Sequence, residues 1–562
     1  MKKVIPVIVA LLLIGVISYL SFGKKIYERY SYGTERADLN EYFRIYSSSD
    51  VPIILQNERI DRSARDIDGH VYLDLDSVDE LLTESFYVDS NENLLLYTTG
   101  TATYETEIGS DRYTVDSEQS SLGFPICLQK DDKTYIALDY IKNFADFTYE
   151  VFTGPKHMQM YTEFGPKKVA TIKSDTQVRW FAGIKADILT DVSAGDVVEL
   201  IEPLDDWMKV KTKDAYIGYV EVSKLTDERE ETMDVKAFEP HEYPSFTRDH
   251  KINLTWHNIE YPQDGTDLAR AVANVRSCNV ISPTCFWLSD SEGNITSVAN
   301  ANYCEAARSM GMEVWGLISN FHYGVELNLE KVLCYTSTRR YLVNNIVSEA
   351  VLNGLDGVNI DFENVPASIG PDYVQFVREM AVACHKEGLV VSVDHYVPTD
   401  YTAHYNRHEQ SKYVDYIIIM GYDEHYAGGE AGSVSSISWM EKGISDTLKY
   451  VPANKVINAI PFYTRVWKTK NGETTSEAVT MEVANDFLKR NNLTAEKDEA
   501  TGQNYAEATI GGVLYQVWME DPMSVTVRLN VIKNAGIAGV ASWVLGQETP
   551  DIWTLIEAYM NN

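Results

Sequence analysis

From about residue 251 the chain alternates two hydrophobic periods. Short apolar runs read as strands, and between them apolar residues recur every three or four positions, as on a helix. The runs cover 252–259, 279–288, 313–321, 357–363, 390–396, 416–423, 456–467 and 539–545. A helical stretch such as 371–387 carries its apolar stripe on Val374, Val377, Ala381 and Cys384. Eight strand–helix units predict an α/β fold, a (β/α)8 barrel over 251–562 with its chemistry at the C-terminal strand ends. The polar segment 468–512 reads as a loop-rich insertion with one helix near 481–489 and is expected to wall one side of the groove.

Upstream the patterning is different. Residues 51–165 hold a weak internal repeat, in which Tyr72-Leu-Asp-Leu-Asp-Ser-Val, Phe86-Tyr-Val and Leu94-Leu-Leu-Tyr-Thr are echoed by Tyr135-Ile-Ala-Leu-Asp-Tyr-Ile, Tyr149-Glu-Val-Phe and Met158-Gln-Met-Tyr-Thr. Each copy reads strand, short helix, strand, strand. Residues 168–226 read as short strands between turns, marked by Ala194-Gly-Asp-Val-Val, Asp206-Trp-Met-Lys-Val and Ile217-Gly-Tyr-Val. Residues 24–50 read as a polar stalk and 227–250 as a charged, proline-bearing linker. Residues 4–22 carry no charge and are long enough to span a bilayer as a helix, after Lys2 and Lys3. We read 1–23 as an uncleaved anchor with the acidic bulk outside the cell. A cleaved signal, giving a secreted protein, is the alternative.

One strand carries unusual polarity. In Asp356-Gly-Val-Asn-Ile-Asp-Phe-Glu363, alternation puts Asn359, Asp361 and Glu363 on one face and Val358, Ile360 and Phe362 on the other. A strand buried on both faces would not carry two carboxylates and an amide without a use for them. Composition narrows the class of that use. The chain has 83 acidic and 49 basic residues among 562, a formal charge of −34, which excludes nucleic acid as a partner. None of the six cysteines forms a Cys-x-x-Cys pair, and they read as buried free thiols. His404, His408 and Glu409 lack the intervening glutamate of a zinc motif, so neither metal nor cofactor is expected.

The 356–363 segment resembles the signature Asp-x-x-Asp-x-Asp-x-Glu of glycoside hydrolase family 18. Met420-Gly-Tyr-Asp423 is similar to that family's Met-x-Tyr-Asp at strand six, and Gly539-Val-Ala-Ser-Trp543 to its strand-eight tryptophan segment. Asn-Ile-Asp-Phe-Glu-Asn-Val at 359–365, Tyr422-Asp-Glu-His425 and Pro461-Phe-Tyr-Thr-Arg465 resemble the peptidoglycan-acting, spore-cortex-lytic branch. Residues 51–165 resemble the duplicated N-terminal domain of copper amine oxidases, without a histidine cluster for copper. Residues 168–226 resemble a bacterial SH3 domain, which implies binding of wall peptide.

The family 18 resemblance implies a retaining β-N-acetylglucosaminidase whose substrate supplies the nucleophile, the N-acetyl oxygen. It implies Glu363 as acid and base, Asp361 as the orienter of the acetamide and Tyr422 as its hydrogen-bond donor. It also implies substrate contacts from Asp423, Met420 and Trp543, the last as the floor of the sugar site. Asn359 departs from the signature, and as an amide it is expected to hydrogen-bond Asp361 without titrating. Peptidoglycan is the expected substrate. Chitin oligomers, or a non-catalytic wall-binding scaffold, are the alternatives.

Overall fold

A computed structural model describes residues 5–233, 237–259, 261, 267–322 and 324–561. Lys2 and Lys3 of the expected anchor lie outside them. The chain forms two compact units. The first joins Met1–Glu84 to Leu122–Pro240, and the second joins Ser85–Ser121 to His241–Asn562.

In the first unit, helix Ile5–Tyr30 is apolar up to Gly23 and then carries Lys24, Lys25, Glu28 and Arg29, and its side chains from Val7 onward are almost all exposed. At about 1.5 Å per residue it is longer than a bilayer core of about 30 Å. A mixed seven-stranded sheet contains Asp50–Leu55, paired in parallel with His157–Tyr161. A second seven-stranded sheet is antiparallel throughout and includes Trp207–Lys211 and Ile217–Glu221. It extends beyond the expected 168–226 at both ends, because Leu225–Thr232 pairs with Pro166–Ile172. The expected linker therefore begins as a strand.

The second unit is built on eight parallel strands. They are β1 (Ile252–His257), β2 (Val280–Leu288), β3 (Glu313–Ser319), β4 (Gly357–Asp361), β5 (Val390–Tyr396), β6 (Tyr416–Met420), β7 (Val456–Pro461) and β8 (Gly539–Trp543). Each pairs with its neighbours and β1 pairs with β8, so the sheet closes into the expected (β/α)8 barrel. Runs such as Tyr416-Ile-Ile-Ile-Met420 are buried at every position, as parallel strands covered on both faces must be. Gly539 is required where β8 meets β1, since a Cβ there would lie 2.0 Å from the Ile252 carbonyl oxygen.

Most strands end short of the sequence expectation, and two of these differences bear on the site. β4 ends at Asp361, so Glu363 stands two residues past the strand rather than on its last position. The expected seventh strand breaks after Pro461, and Tyr463–Lys470 opens a separate sheet. That sheet holds most of the segment expected to be loop-rich. It has five antiparallel strands, and helix Met481–Arg490 packs on it. Its first hairpin turns at Asn471-Gly472, both at positive φ, the residue pair such a turn favours.

The repeat stretch 51–165 does not form one body. Both copies have the expected element order, but the strands Phe86–Asp89 and Leu94–Thr98 of the first copy join a five-stranded antiparallel sheet in the second unit. That sheet covers three barrel helices, α1 (Thr336–Leu352), α2 (Gly370–Lys386) and α3 (Arg407–Tyr413). Helix α2 buries the predicted stripe, but it also buries Gln375, Arg378 and Glu379 on its polar side. The sheet supplies partners for that side. Thr98 accepts a hydrogen bond from Gln375 at 2.9 Å, and Ser85 donates to Glu409 at 2.6 Å.

Candidate active site

Asp361, Glu363, Met420, Tyr422, Asp423 and Trp543 line one cavity of about 320 Å³ at the C-terminal end of the barrel. That volume falls in the range of small-ligand sites. Six of the seven residues expected from the sequence therefore meet. Asn359, the seventh, is completely buried one inward position deeper.

Glu363 is held from two directions. Its backbone N–H donates to Asn320 Oδ1 and its carbonyl accepts from Asn320 Nδ2, both at 2.8 Å. The Tyr396 hydroxyl donates to Glu363 Oε2 at 2.6 Å. Burial raises the carboxyl's pKa against that hydrogen bond, and the Asp423 charge adds to the rise. Asp361 is 7% exposed, and its Oδ1 has no hydrogen-bond partner among the described residues. Burial first, and the Glu363 charge second, raise its pKa well above the carboxylate range.

Asn359 does not bond Asp361 as expected. Its Oδ1 accepts from the Trp256 indole at 2.9 Å and from Ser282 at 3.4 Å. Its Nδ2 donates to Ser392 Oγ at 3.0 Å and to Asp394 Oδ1 at 2.8 Å. The reason is geometric. Position 359 faces the interior of the barrel, level with the β5 side chains, while Asp361 stands one step nearer the mouth.

The sequence reading missed Asp394 and Tyr396 on β5, Trp256 on β1 and Asn320 after β3. A signal for the β5 pair was present. In Val390-Val-Ser-Val-Asp-His-Tyr396, the polar Ser392, Asp394 and Tyr396 alternate with buried residues just as 359, 361 and 363 do. Around the mouth, Tyr422 and Tyr463 meet edge to face at 6.2 Å, and Tyr463 donates its hydroxyl to Asp423. The Trp256 and Trp543 rings lie 5.7 Å apart, tilted by 60°. Asp356 sits at the other end of β4, where it accepts from the Val314 N–H at 2.9 Å. Among the described residues no group of histidine, cysteine, aspartate or glutamate could hold a metal ion.

The closed parallel barrel thus carries a carboxyl cluster at its C-terminal mouth, beside aromatic rings, where this fold places its chemistry. Residues 290–548, a little under half of the chain, match the family model Glycosyl hydrolases family 18. β1 and the whole of β2 precede the matched span.

The chain is 29% identical over 234 residues to a Cortical fragment-lytic enzyme of Bacillus subtilis, covering 40% of this chain and 54% of that one. It is 26% identical over 279 residues to the Uncharacterized glycosylase YvbX of the same organism, covering 48% and 80%. The chain thus spans about half the length of the cortical relative. The C-terminal domain of a putative chitinase from Desulfitobacterium hafniense shares the fold, with TM-score 0.51 and 22% identity over 56% of this chain and 99% of that one.

Proposed function

We propose that the barrel cleaves the β-1,4 bond after N-acetylglucosamine in peptidoglycan, with retention and with the substrate's acetamide oxygen as nucleophile. One observation carries this reading. Asp361 is a buried carboxyl beside the acid Glu363 with an oxygen that no described group satisfies. A buried acceptor left open in a sugar-sized cavity is suited to an N–H that arrives with the substrate.

In this reading Glu363 protonates the leaving oxygen and then deprotonates the incoming water. Its raised pKa favours the protonated acid that the first step needs. Asp361 accepts the acetamide N–H and faces the oxazolinium cation as it forms. Tyr422 donates to the acetamide oxygen, Trp543 stacks under the sugar, and Met420 and Asp423 border it. Asn359 touches no sugar. It fixes the polar layer beneath the site.

Peptidoglycan is favoured over chitin by the cortical relative and by the apolar N-terminal helix, which suits an anchor in the membrane beneath a wall. With that anchor the catalytic unit faces the wall. The antiparallel sheet that includes Trp207–Lys211 would act as a wall-peptide module.

The test is digestion of purified peptidoglycan and of chitin oligomers by the full chain in detergent, with Glu363→Gln alongside. Wild type is expected to release new reducing ends ending in N-acetylglucosamine from peptidoglycan. Glu363→Gln is expected to lose about 10²–10⁴-fold in rate. No cleavage of either polymer would end the enzymatic reading and leave a glycan-binding scaffold. Cleavage of chitin alone would move the substrate assignment.

A further inference from the structure

The cavity holds one carboxyl that the mechanism above does not employ. Asp394 stands on β5, is 3% exposed and lines the same cavity as Asp361 and Glu363. It accepts a hydrogen bond from Asn359 Nδ2 at 2.8 Å. The orientation of that amide is forced, because the Trp256 indole can only donate and so must meet the amide oxygen. The amide N–H₂ is thereby aimed at Asp394 and Ser392.

The groups that act electrostatically on Asp394, or that it acts on, are Asp361 and Glu363 from β4 and the loop after it, Tyr422 from the loop after β6, and Tyr373 from α2. None of them is a cation. Two carboxyls buried in one cavity without a cation cannot both be ionised at moderate cost, and such pairs retain one proton between them. Burial first and the Asp361 charge second push the Asp394 pKa well above the usual range, in agreement with that argument.

The amide at 359 follows from the same arrangement. An aspartate at 359 would present a carboxyl to Asp394 where the structure has an N–H donor. It would also add a further acid to the cluster.

We propose that Asp394 is the positioning residue for Asp361, the two carboxyls holding a single proton that resides on Asp394 whenever Asp361 is ionised toward the acetamide. This rests on the functional reading above. The proton moves within the pair and is not exchanged with solvent, so the pair carries one negative charge throughout the turnover.

The experiment has an arm that needs no substrate. Full-length protein labelled with ¹³C-aspartate is titrated by infrared spectroscopy, following the C=O stretch of protonated carboxyls. Wild type is expected to keep one protonated aspartate at neutral pH. Asp394→Asn is expected to lose it while retaining the near-ultraviolet dichroism of a packed barrel. A wild-type spectrum with no such band at neutral pH overturns the proposal, and that measurement stands even where the variant fails to fold.

The second arm measures turnover of peptidoglycan fragments. In Asp394→Asn, kcat is expected to fall on the order of 100-fold with KM changed by less than about 3-fold. The acid limb of the kcat profile is expected to move, because Asp361 then titrates without the carboxyl it is paired with. The double variant Asn359→Asp/Asp394→Asn, which returns the carboxyl to β4, is expected to recover about tenfold of the lost rate. A kcat within about 3-fold of wild type and an unmoved acid limb overturn the proposal. A wild type without activity on any glycan ends the functional reading, while the infrared band still decides the carboxyl pair.

Discussion

The second unit buries charge in two places, and it treats them in opposite ways. On the helical side of the barrel, Arg339 meets Glu379 through two hydrogen bonds of 3.0 and 3.1 Å. Arg378 meets Glu409 at 2.6 Å, with Ser85 and Lys412 completing the glutamate's shell. Burial alone would raise the Glu409 pKa. Arg378, Lys412 and the hydroxyl overcome it and bring the value down to about 2. At the barrel mouth, among the described residues, no cation pairs with Asp361, Asp394 or Glu363, and all three are raised.

Asp361 and Asp394 are as buried as Arg378 and Glu379, so burial by itself does not separate a site from a scaffold. Pairing does. Where the fold needs carboxylates for cohesion it supplies every partner. Where chemistry needs a labile proton and an open acceptor, partners are withheld.

The largest effect should come from dismantling the paired region. A fragment comprising 241–562 contains every barrel strand but lacks the sheet in Ser85–Ser121. It exposes the polar faces of α1 and α2 and strips partners from Arg339, Gln375 and Glu409. We expect it to be insoluble or molten. A chain that retains 85–121 should give one cooperative transition in calorimetry. A well-folded, active 241–562 fragment would show that the sheet is an accessory.

Next in size is Glu409→Gln. It leaves Arg378 buried opposite a neutral amide, a change that typically costs about 3–5 kcal/mol. Denaturant unfolding should show that loss in midpoint with little change in kcat at a temperature where the variant is folded. pH sharpens the same point. In wild type the Glu409 contribution is complete above its ordinary pKa near 4.5 and disappears as pH falls toward 2, because there the unfolded chain binds the extra proton. Melting temperature should therefore fall between those values in wild type, and fall less in Glu409→Gln.

The barrel and the cluster at its mouth were legible in the sequence because both follow from periodicity. Buried parallel strands are continuous apolar runs, and an interruption by Asn359, Asp361 and Glu363 stands out against Val358, Ile360 and Phe362. Asp394 carries the same alternation on β5 but lacks a second carboxylate to draw notice. The role of Ser85–Ser121 was illegible for a different reason. Gln375, Arg378 and Glu379 on α2 have the composition of a solvent-facing stripe. Only the arrival of a sheet from some 270 residues upstream makes them interior. Local pattern records which residues are polar but not what covers them. The missing bond between Asn359 and Asp361 is of the same kind, since its true partner lies on another strand.

The smallest stability change should come from the mouth, and its sign is opposite. Asp361→Asn removes a carboxyl whose pKa is raised because its charged form is buried without a partner. Such a group stabilises the fold fully only below the ordinary aspartate pKa near 4, and that contribution is lost as pH rises through the raised value. Wild type should therefore lose a little stability from mildly acidic toward neutral pH, on top of any other trend. In Asp361→Asn that slope should flatten, and near neutral pH the variant should melt at or slightly above wild type. Its kcat should fall about 10²–10³-fold, the range seen when a group that stabilises developing charge is removed. The comparison between the two regions then becomes a crossed pair of measurements. Neutralising Glu409 costs stability and spares catalysis, and neutralising Asp361 costs catalysis and spares stability. A destabilisation by Asp361→Asn as large as that of Glu409→Gln would mean that Asp361 has a structural partner at the mouth, and the open acceptor on which the functional reading depends would be gone.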